Sequence, residues 1–132
     1  MRHASDGYSY MMELGYDEVA RICMTHSFNN KKVEDYVGDN DTSAEELALI
    51  QTQLAAIEFD EYDKLIQFCD ALAAATGVVD IEQRMLDVKR RYGFYTQSKW
   101  DSNISLRKHF EEKCGRNIYE VVEKDTYTPQ AS

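Results

Sequence analysis

Apolar residues recur at helical spacing along most of this chain, and no proline interrupts them before Pro129. The sequence also has no Gly-rich segment and no internal repeat, so nothing suggests a linker or a second domain. No stretch shows the strict alternation of apolar and polar residues that predicts a half-buried strand. The sequence therefore predicts an all-α fold, an irregular bundle of about six helices.

Glycines and capping residues mark where these helices should begin and end. Thr42 or Ser43 is a candidate N-cap with Glu45 or Glu46 near the third helical position, and Asp80 is the N-cap expected for a later helix. Glycines close four of the segments. The predicted helices cover residues 5–14, 16–26, 43–57, 60–75, 80–92 and 99–114. A polar loop is predicted over residues 27–41, where it could border a site.

Composition limits the class of protein. The chain has 132 residues, enough for one domain with a real core, and we predict a single domain over 1–132 with a flexible tail at 123–132. A formal charge of −9 disfavours a nucleic-acid partner. A hydrophobic fraction of 43% argues against disorder, and no apolar run reaches the ~20 residues that would cross a membrane.

The cysteines indicate the cellular compartment. Cys23, Cys69 and Cys114 are odd in number and form no close pair, and the first residues lack the apolar core of a secretion signal. We therefore expect reduced thiols in a cytoplasmic protein, with Cys23 and Cys69 as small core residues.

One acid stands out in the segment YDKLIQFCDALAAATG, residues 62–77. Leu65, Ile66, Cys69 and Leu72 have the spacing of one apolar helix face, and Asp70 lies among them. A carboxylate placed beside an apolar face costs several kcal/mol or more to desolvate unless a cation receives it. The sequence predicts such a partner for Asp70, either Arg84 or Arg21 or a metal ion.

Two histidines could share the interior with Asp70. His3 precedes the first predicted helix, and His26 ends the second on the same face as Val19 and Cys23. Imidazole nitrogens with a carboxylate oxygen suit divalent Mn, Fe, Co, Ni or Zn.

Each histidine also has a simpler interpretation. His26 could be a cation at a helix C-terminus, or a core histidine hydrogen-bonded to a backbone carbonyl. His3, near the chain end, could be solvated, and His109 lies among charged residues and is expected on the surface. These alternatives remain open at this point.

Three segments together resemble the C-terminal part of HD-domain proteins, the metal-dependent phosphohydrolase superfamily. They are RHASDGYSYMMELGYDEVARICMTHSF, EYDKLIQFCDALA and DIEQRMLDVKRRYGF. The family's ligands are an early His, a His-Asp dipeptide and a late Asp, and some members add two histidines. His3 and His26 resemble the added histidines, with Gly7 at the family's spacing after the first, and Asp70 resembles the late Asp.

The resemblance implies a divalent metal, one of Mn, Fe, Co, Ni, Zn or Mg, held by His3, His26 and Asp70. It implies hydrolysis of a phosphomonoester or phosphodiester of a nucleotide-like molecule. No histidine here is followed by Asp, because the pairs are His3-Ala4, His26-Ser27 and His109-Phe110.

We therefore expect an HD-like domain that is N-terminally incomplete, inactive alone or dependent on a complementing N-terminal fragment. The alternative is a non-catalytic helical interaction module that forms a homo-oligomer.

Overall fold

The chain folds mainly into α-helices, with one 3₁₀ helix and one two-stranded β-hairpin. A computed structural model describes residues 1–123, and we number its elements in chain order. The elements are α1 (Arg2–Glu13), α2 (Asp17–Thr25), a 3₁₀ helix (Val33–Asp35), α3 (Ala44–Ala56), α4 (Glu61–Leu72), β1 (Ala73–Ala74), β2 (Gly77–Val78), α5 (Ile81–Tyr92), α6 (Gln97–Cys114) and α7 (Ile118–Glu123). The predicted all-α class is confirmed.

The chain divides into two compact units, Met1–Gln67 and the residues from Phe68 onward. The expectation of a single domain stays a prediction. The tail predicted at 123–132 lies outside the described residues beyond Glu123. Within the described chain, no helix has both the length and the apolar character needed to span a bilayer, and Cys23, Cys69 and Cys114 are free thiols.

The first unit is built on α1, α2, the 3₁₀ helix and α3. Ser43 accepts a hydrogen bond from the backbone N–H of Glu46, whose carboxylate in turn accepts from the N–H of Ser43, so the predicted capping box starts α3. Buried apolar side chains from these elements form one core: Met1, Ala4, Met24, Phe28, Val33, Ile50 and Leu54.

Hydrogen bonds from the first residue fix the start of α1. The amino group of Met1 donates to Tyr36 Oη at 3.1 Å and to the carbonyl of Asp39 at 3.0 Å, and the Met1 side chain is buried. The backbone N–H of Arg2 donates to Asp41 Oδ1 at 2.7 Å. His3 therefore lies inside the first turn of α1, whereas the sequence predicted it ahead of a helix starting at residue 5.

The second unit is built on the end of α4, the β-hairpin, and α5 to α7. Asp80 Oδ1 accepts from the N–H groups of Glu82 and Gln83, as its predicted N-cap role requires, and Gly93 ends α5 with a φ of 84°. Phe68 stacks on Phe110 with ring centroids 5.4 Å apart. The core of this unit contains Phe68, Leu72, Ile81, Met85, Leu106, Phe110 and Ile118.

The helix predicted over residues 60–75 ends early, at Leu72. Ala73 and Ala74 pair in antiparallel register with Val78 and Gly77, and the N–H of Val79 donates to the carbonyl of Leu72 at 2.9 Å. Gly77 has a φ of 125°, which a residue with a Cβ rarely adopts. A two-residue turn thus replaces the last helical turn, and the prediction of helix through Ala75 is wrong.

The buried acid of α4 is Asp63, and the prediction that Asp70 lies on the buried face of this helix is wrong. Asp70 is exposed, whereas the side chain of Asp63 has no exposed surface. Asp63 accepts hydrogen bonds from Thr25 Oγ1 at 2.7 Å and from the backbone N–H of Asp60 at 2.9 Å. Arg21 Nε lies 3.2 Å from Asp63 Oδ2 and its Nη2 lies 2.5 Å from Asp60 Oδ2.

Both arginines proposed as partners of Asp70 bind other groups. Arg21 belongs to Asp60 and Asp63, and Arg84 Nε donates to the carbonyl of Ala73 at 2.8 Å. Among residues 1–123, no ion pair joins Asp70 to either of them.

The apolar face predicted for α2 is half-buried except at Val19, and the face predicted for α4 is wrong except at Leu72. Val19 on α2 and Leu65, Ile66 and Cys69 on α4 are exposed. Ala20, Met24 and Thr25 are the buried residues of α2. On α4, Asp63 and Gln67 are buried and so are Phe68 and Leu72. Phe68 and Leu72 follow Asp63 and Gln67 by five residues each, which places the second pair about 140° around the helix axis from the first, so the buried face changes along the helix.

We predict that Asp63→Asn lowers the free energy of unfolding by about 2–3 kcal/mol, since it removes the charge that Arg21 and Thr25 stabilise inside the protein. Asp70→Asn on the same helix is the matched control and should leave stability unchanged, because Asp70 is exposed. Urea denaturation of the two variants and the wild type makes the comparison. Equal effects of the two substitutions would contradict this assignment.

Candidate functional site

The close approach of α1 to α2 brings two histidines together. A Cβ built on Gly7 would lie 3.2 Å from Cys23 Cβ and 3.3 Å from Cys23 Sγ, closer than side chains normally pack. Because Gly7 follows His3 by one helical turn and Cys23 precedes His26 by about one turn, the two helices run antiparallel with the histidines facing each other. Gly7 is therefore the residue that lets His3 reach His26.

The histidines and Ser27 form a compact polar triangle. His3 Nε2 lies 3.3 Å from His26 Nε2 and 3.2 Å from Ser27 Oγ, and Ser27 Oγ lies 3.1 Å from His26 Nε2. The rings meet edge to face, with centroids 5.3 Å apart and an angle of 65°. His26 and Ser27 are half-buried and His3 is exposed, so the triangle opens to solvent on the α1 side.

A backbone carbonyl determines the tautomer of His26, that is, which ring nitrogen carries the proton. His26 Nδ1 lies 2.8 Å from the carbonyl oxygen of Cys23. A carbonyl only accepts, so Nδ1 carries the proton and, in the neutral ring, Nε2 presents its lone pair. This is the carbonyl-bonded histidine that the sequence left as an alternative, and it also holds Nε2 toward His3.

The spacing of the two Nε2 atoms fits a shared metal ion. Two nitrogen ligands each about 2.05 Å from a tetrahedral ion are about 3.3 Å apart, which is the separation between His3 and His26. The hydrogen bond that His26 Nδ1–H donates to the Cys23 carbonyl is the outer bond that metal-binding histidines usually make. Within residues 1–123, no group of three or more His, Cys, Asp or Glu side chains is arranged to hold a metal.

The structure unites two of the three predicted ligands. His3 and His26 belong to the first unit, and Asp70 lies on α4 in the second unit with its side chain exposed. The assignment of all three to a metal stays a prediction.

The sequence did not single out Ser27 or the carbonyl of Cys23. Ser27 directly follows His26, the C-cap of α2, and its hydroxyl reaches both rings only because the helix ends there. The Cys23 carbonyl lies three residues before His26, the common reach of a side chain at a helix end. The three-residue separation of Cys23 and His26 was therefore a sequence signal for this hydrogen bond.

We predict that Gly7→Ala lowers the free energy of unfolding by about 1 kcal/mol, although alanine is the better helix former by a similar amount. The added Cβ must push α1 away from Cys23. Ser9→Ala, at an exposed position of α1, is the control and should not destabilise. Chemical denaturation measures both, and the double variant Gly7→Ala, Cys23→Ala should recover part of the loss because the two sites are coupled. If Gly7→Ala alone stabilised the protein, the contact between residues 7 and 23 would be loose enough to accept a Cβ, which would contradict the prediction.

No family model, no curated protein and no solved structure matches this chain. The chemistry of the histidine pair is therefore argued from its own distances and donors.

Proposed function

We propose that the chain binds a divalent metal through His3 and His26 and is an HD-like phosphohydrolase polypeptide that needs further ligands from a complementing segment. The substrate class is a phosphomonoester or phosphodiester of a nucleotide-like molecule. The observation that carries the proposal is the 3.3 Å separation of the two Nε2 atoms, with the His26 lone pair already directed by Cys23.

The pair supports the family resemblance at the positions where it is most specific. His3 and His26 are 23 residues apart in sequence, yet they face each other across α1 and α2. Gly7, which the resemblance also includes, is the residue whose missing side chain permits that contact. Two histidines could meet for other reasons, but this glycine gives the motif a physical role.

The residues of this chain would bind and orient the ion. A divalent ion, when bound, supplies Lewis acidity toward water and phosphoryl oxygens. His26 would enter with its tautomer fixed by Cys23, and the Ser27 hydroxyl, within 3.2 Å of both rings, can donate to a ligand oxygen beside the ion.

The complementing segment is required by the composition of the pair. Two neutral imidazoles carry no negative charge to balance a dication, and the family resemblance assigns the remaining ligands to an early His and a His-Asp dipeptide. This sequence contains no His-Asp dipeptide and no residue that matches the family's early His. A polypeptide encoded immediately upstream is the segment that we propose supplies them.

We predict that His3→Ala and His26→Ala each weaken Zn²⁺ or Ni²⁺ binding by tenfold or more, because each removes one of two nitrogen ligands. His109→Ala is the matched control, since His109 lies on α6 in the second unit. Titration calorimetry of the purified chain measures the affinity. An equal loss in all three variants would locate the metal elsewhere.

The hydrolytic part of the same experiment uses bis(4-nitrophenyl) phosphate and 4-nitrophenyl phosphate with Mn²⁺ or Ni²⁺. We expect no turnover by the chain alone and turnover when it is co-purified with the upstream polypeptide, abolished by His26→Ala. Metal binding without turnover in the complemented protein would retain the metal site and reject the phosphohydrolase.

A second candidate function, an interaction module that self-associates, is favoured by one face of α4. Tyr62, Leu65 and Ile66 have the spacing of a single helical stripe and are 71%, 42% and 40% exposed. An apolar stripe of this kind is a common feature of surfaces between protein copies.

If this stripe joins two copies, Ile66→Glu should convert a dimer to a monomer in sedimentation velocity, because it places a charge in the apolar contact. Glu58→Gln, outside α4, is the control. A wild-type chain that remains monomeric at high concentration would reject this candidate.

A further inference from the structure

The end of α1, the turn after it and the start of α2 expose several large apolar side chains. Tyr10 and Tyr16 are 58% and 60% exposed, and Leu14 and Val19 are also exposed. Every residue from 12 to 19 is exposed in the described chain. Apolar side chains that gather at one surface site, rather than lying singly, mark a place where a protein binds another molecule.

The members of this region on α1 lie on one helical stripe. Tyr10 follows Asp6 by four residues, and Glu13 and Leu14 follow Tyr10 by three and four. Residues at these intervals are neighbours on one helix face. Acidic and apolar side chains therefore alternate along the same exposed side of α1.

Val19 brings α2 to the same region. It precedes Cys23 by four residues, and Cys23 lies against Gly7 of α1, so Val19 is on the side of α2 that faces α1. Because the two helices run antiparallel, Val19 lies toward the C-terminal end of α1. We call this surface the acidic-apolar face, and it consists of Asp6, Tyr10, Glu13, Leu14, Tyr16 and Val19.

The acidic-apolar face carries only negative charge. Its two acids are exposed, and so are Asp17 and Glu18 in the same stretch of chain. Among residues 1–123, no salt bridge joins any of these four acids to a lysine or arginine.

The nearest basic residues in the sequence bind other acids. No lysine or arginine occurs between Arg2 and Arg21. Arg2 Nη2 lies 3.3 Å from Glu46 Oε1, and Arg21 Nη2 lies 2.5 Å from Asp60 Oδ2. The negative charge of the face is therefore open to a cation of another molecule.

Glu13 is the acid of this face that its own helix does not favour. It lies in the last turn of α1, which contains no basic residue. The C-terminal end of a helix already carries partial negative charge, so an acid there is destabilising. Asp17 and Glu18 differ, because they lie in the first turn of α2, where the helix dipole favours an acid. A cation of a bound partner beside Glu13 would remove the repulsion.

The charge of the face determines which kind of partner fits it. Two copies of the chain joined through this face would bring the same acids against each other, which opposes association. An anionic membrane or a nucleic acid would also be repelled. A small cation without apolar groups would leave Tyr10 and Leu14 in water. The partner that matches both properties of the face is a protein segment that is basic and apolar.

We propose that the acidic-apolar face binds a short amphipathic helix of a partner protein that carries Lys or Arg beside its apolar residues. The apolar side chains of that helix pack on Tyr10, Leu14 and Val19, and its cations pair with Asp6 and Glu13. The interaction requires neither the metal nor the hydrolysis proposed above.

The test uses the full chain, labelled with ¹⁵N, and a synthetic amphipathic peptide with Leu at helical spacing and Lys at the flanking positions. We expect saturable shifts of the backbone signals of Glu13, Leu14 and Tyr16, with an affinity that falls as the NaCl concentration is raised. The same peptide with Glu in place of Lys should not bind. Spermine, which is cationic but lacks apolar side chains, should bind at least about tenfold more weakly.

One pair of variants tests the apolar contact. Leu14→Ser should weaken binding of the Lys peptide by about fivefold or more, because it removes apolar area from the contact. Leu49→Ser is the matched control, since Leu49 is an exposed leucine of α3 in the same unit, and it should keep wild-type affinity. Circular dichroism verifies that both variants are folded.

A second pair tests the charges. Asp6→Asn combined with Glu13→Gln should weaken binding by about threefold or more, since two ion pairs with the peptide are lost. Glu45→Gln combined with Glu58→Gln removes the same number of exposed charges from the first unit outside the face, and its effect should be smaller.

The proposal is overturned if the Lys peptide gives no saturable shifts at the face, if the Glu peptide or spermine binds as tightly as the Lys peptide, if a folded Leu14→Ser protein keeps wild-type affinity, or if the two double variants weaken binding equally.

Discussion

The close contact between Gly7 and Cys23 is the constraint on which the arrangement of the first unit's polar groups depends. A side chain at residue 7 would press on Cys23 and separate α1 from α2. Since His3 lies one turn from Gly7 and His26 lies about one turn from Cys23, the separation would act directly on the distance between the two Nε2 atoms, now 3.3 Å. A shift of a few tenths of an ångström would exceed the tolerance of metal–ligand distances.

Helix α2 contacts α1 with one face and the start of α4 with another. Cys23 and His26 face α1, whereas Arg21 and Thr25 bind Asp63 at the start of α4. The buried carboxylate of Asp63 is a fixed point for α2, because moving the helix would leave that charge without its donors at a cost of several kcal/mol. The histidine pair is thus positioned from one side by packing and held from the other by a buried polar network.

The helix ends were predictable from sequence because their signals are local. Ser43 with Glu46, and Asp80, cap helices within four residues of their own position, so no tertiary information is needed to recognise them. The all-α class was predictable from the helical spacing of the apolar residues.

The phase of α4 was not predictable, because its buried face changes along the helix. Asp63 is buried by partners 38 and 42 residues earlier in the chain, Thr25 and Arg21, and nothing in the local spacing distinguishes it from Asp70. The spacing placed Asp70 on the buried face of this helix, whereas the buried acid is Asp63. In the candidate site, the histidines could be named from sequence, but Ser27 and the Cys23 carbonyl join them only through the way α2 ends.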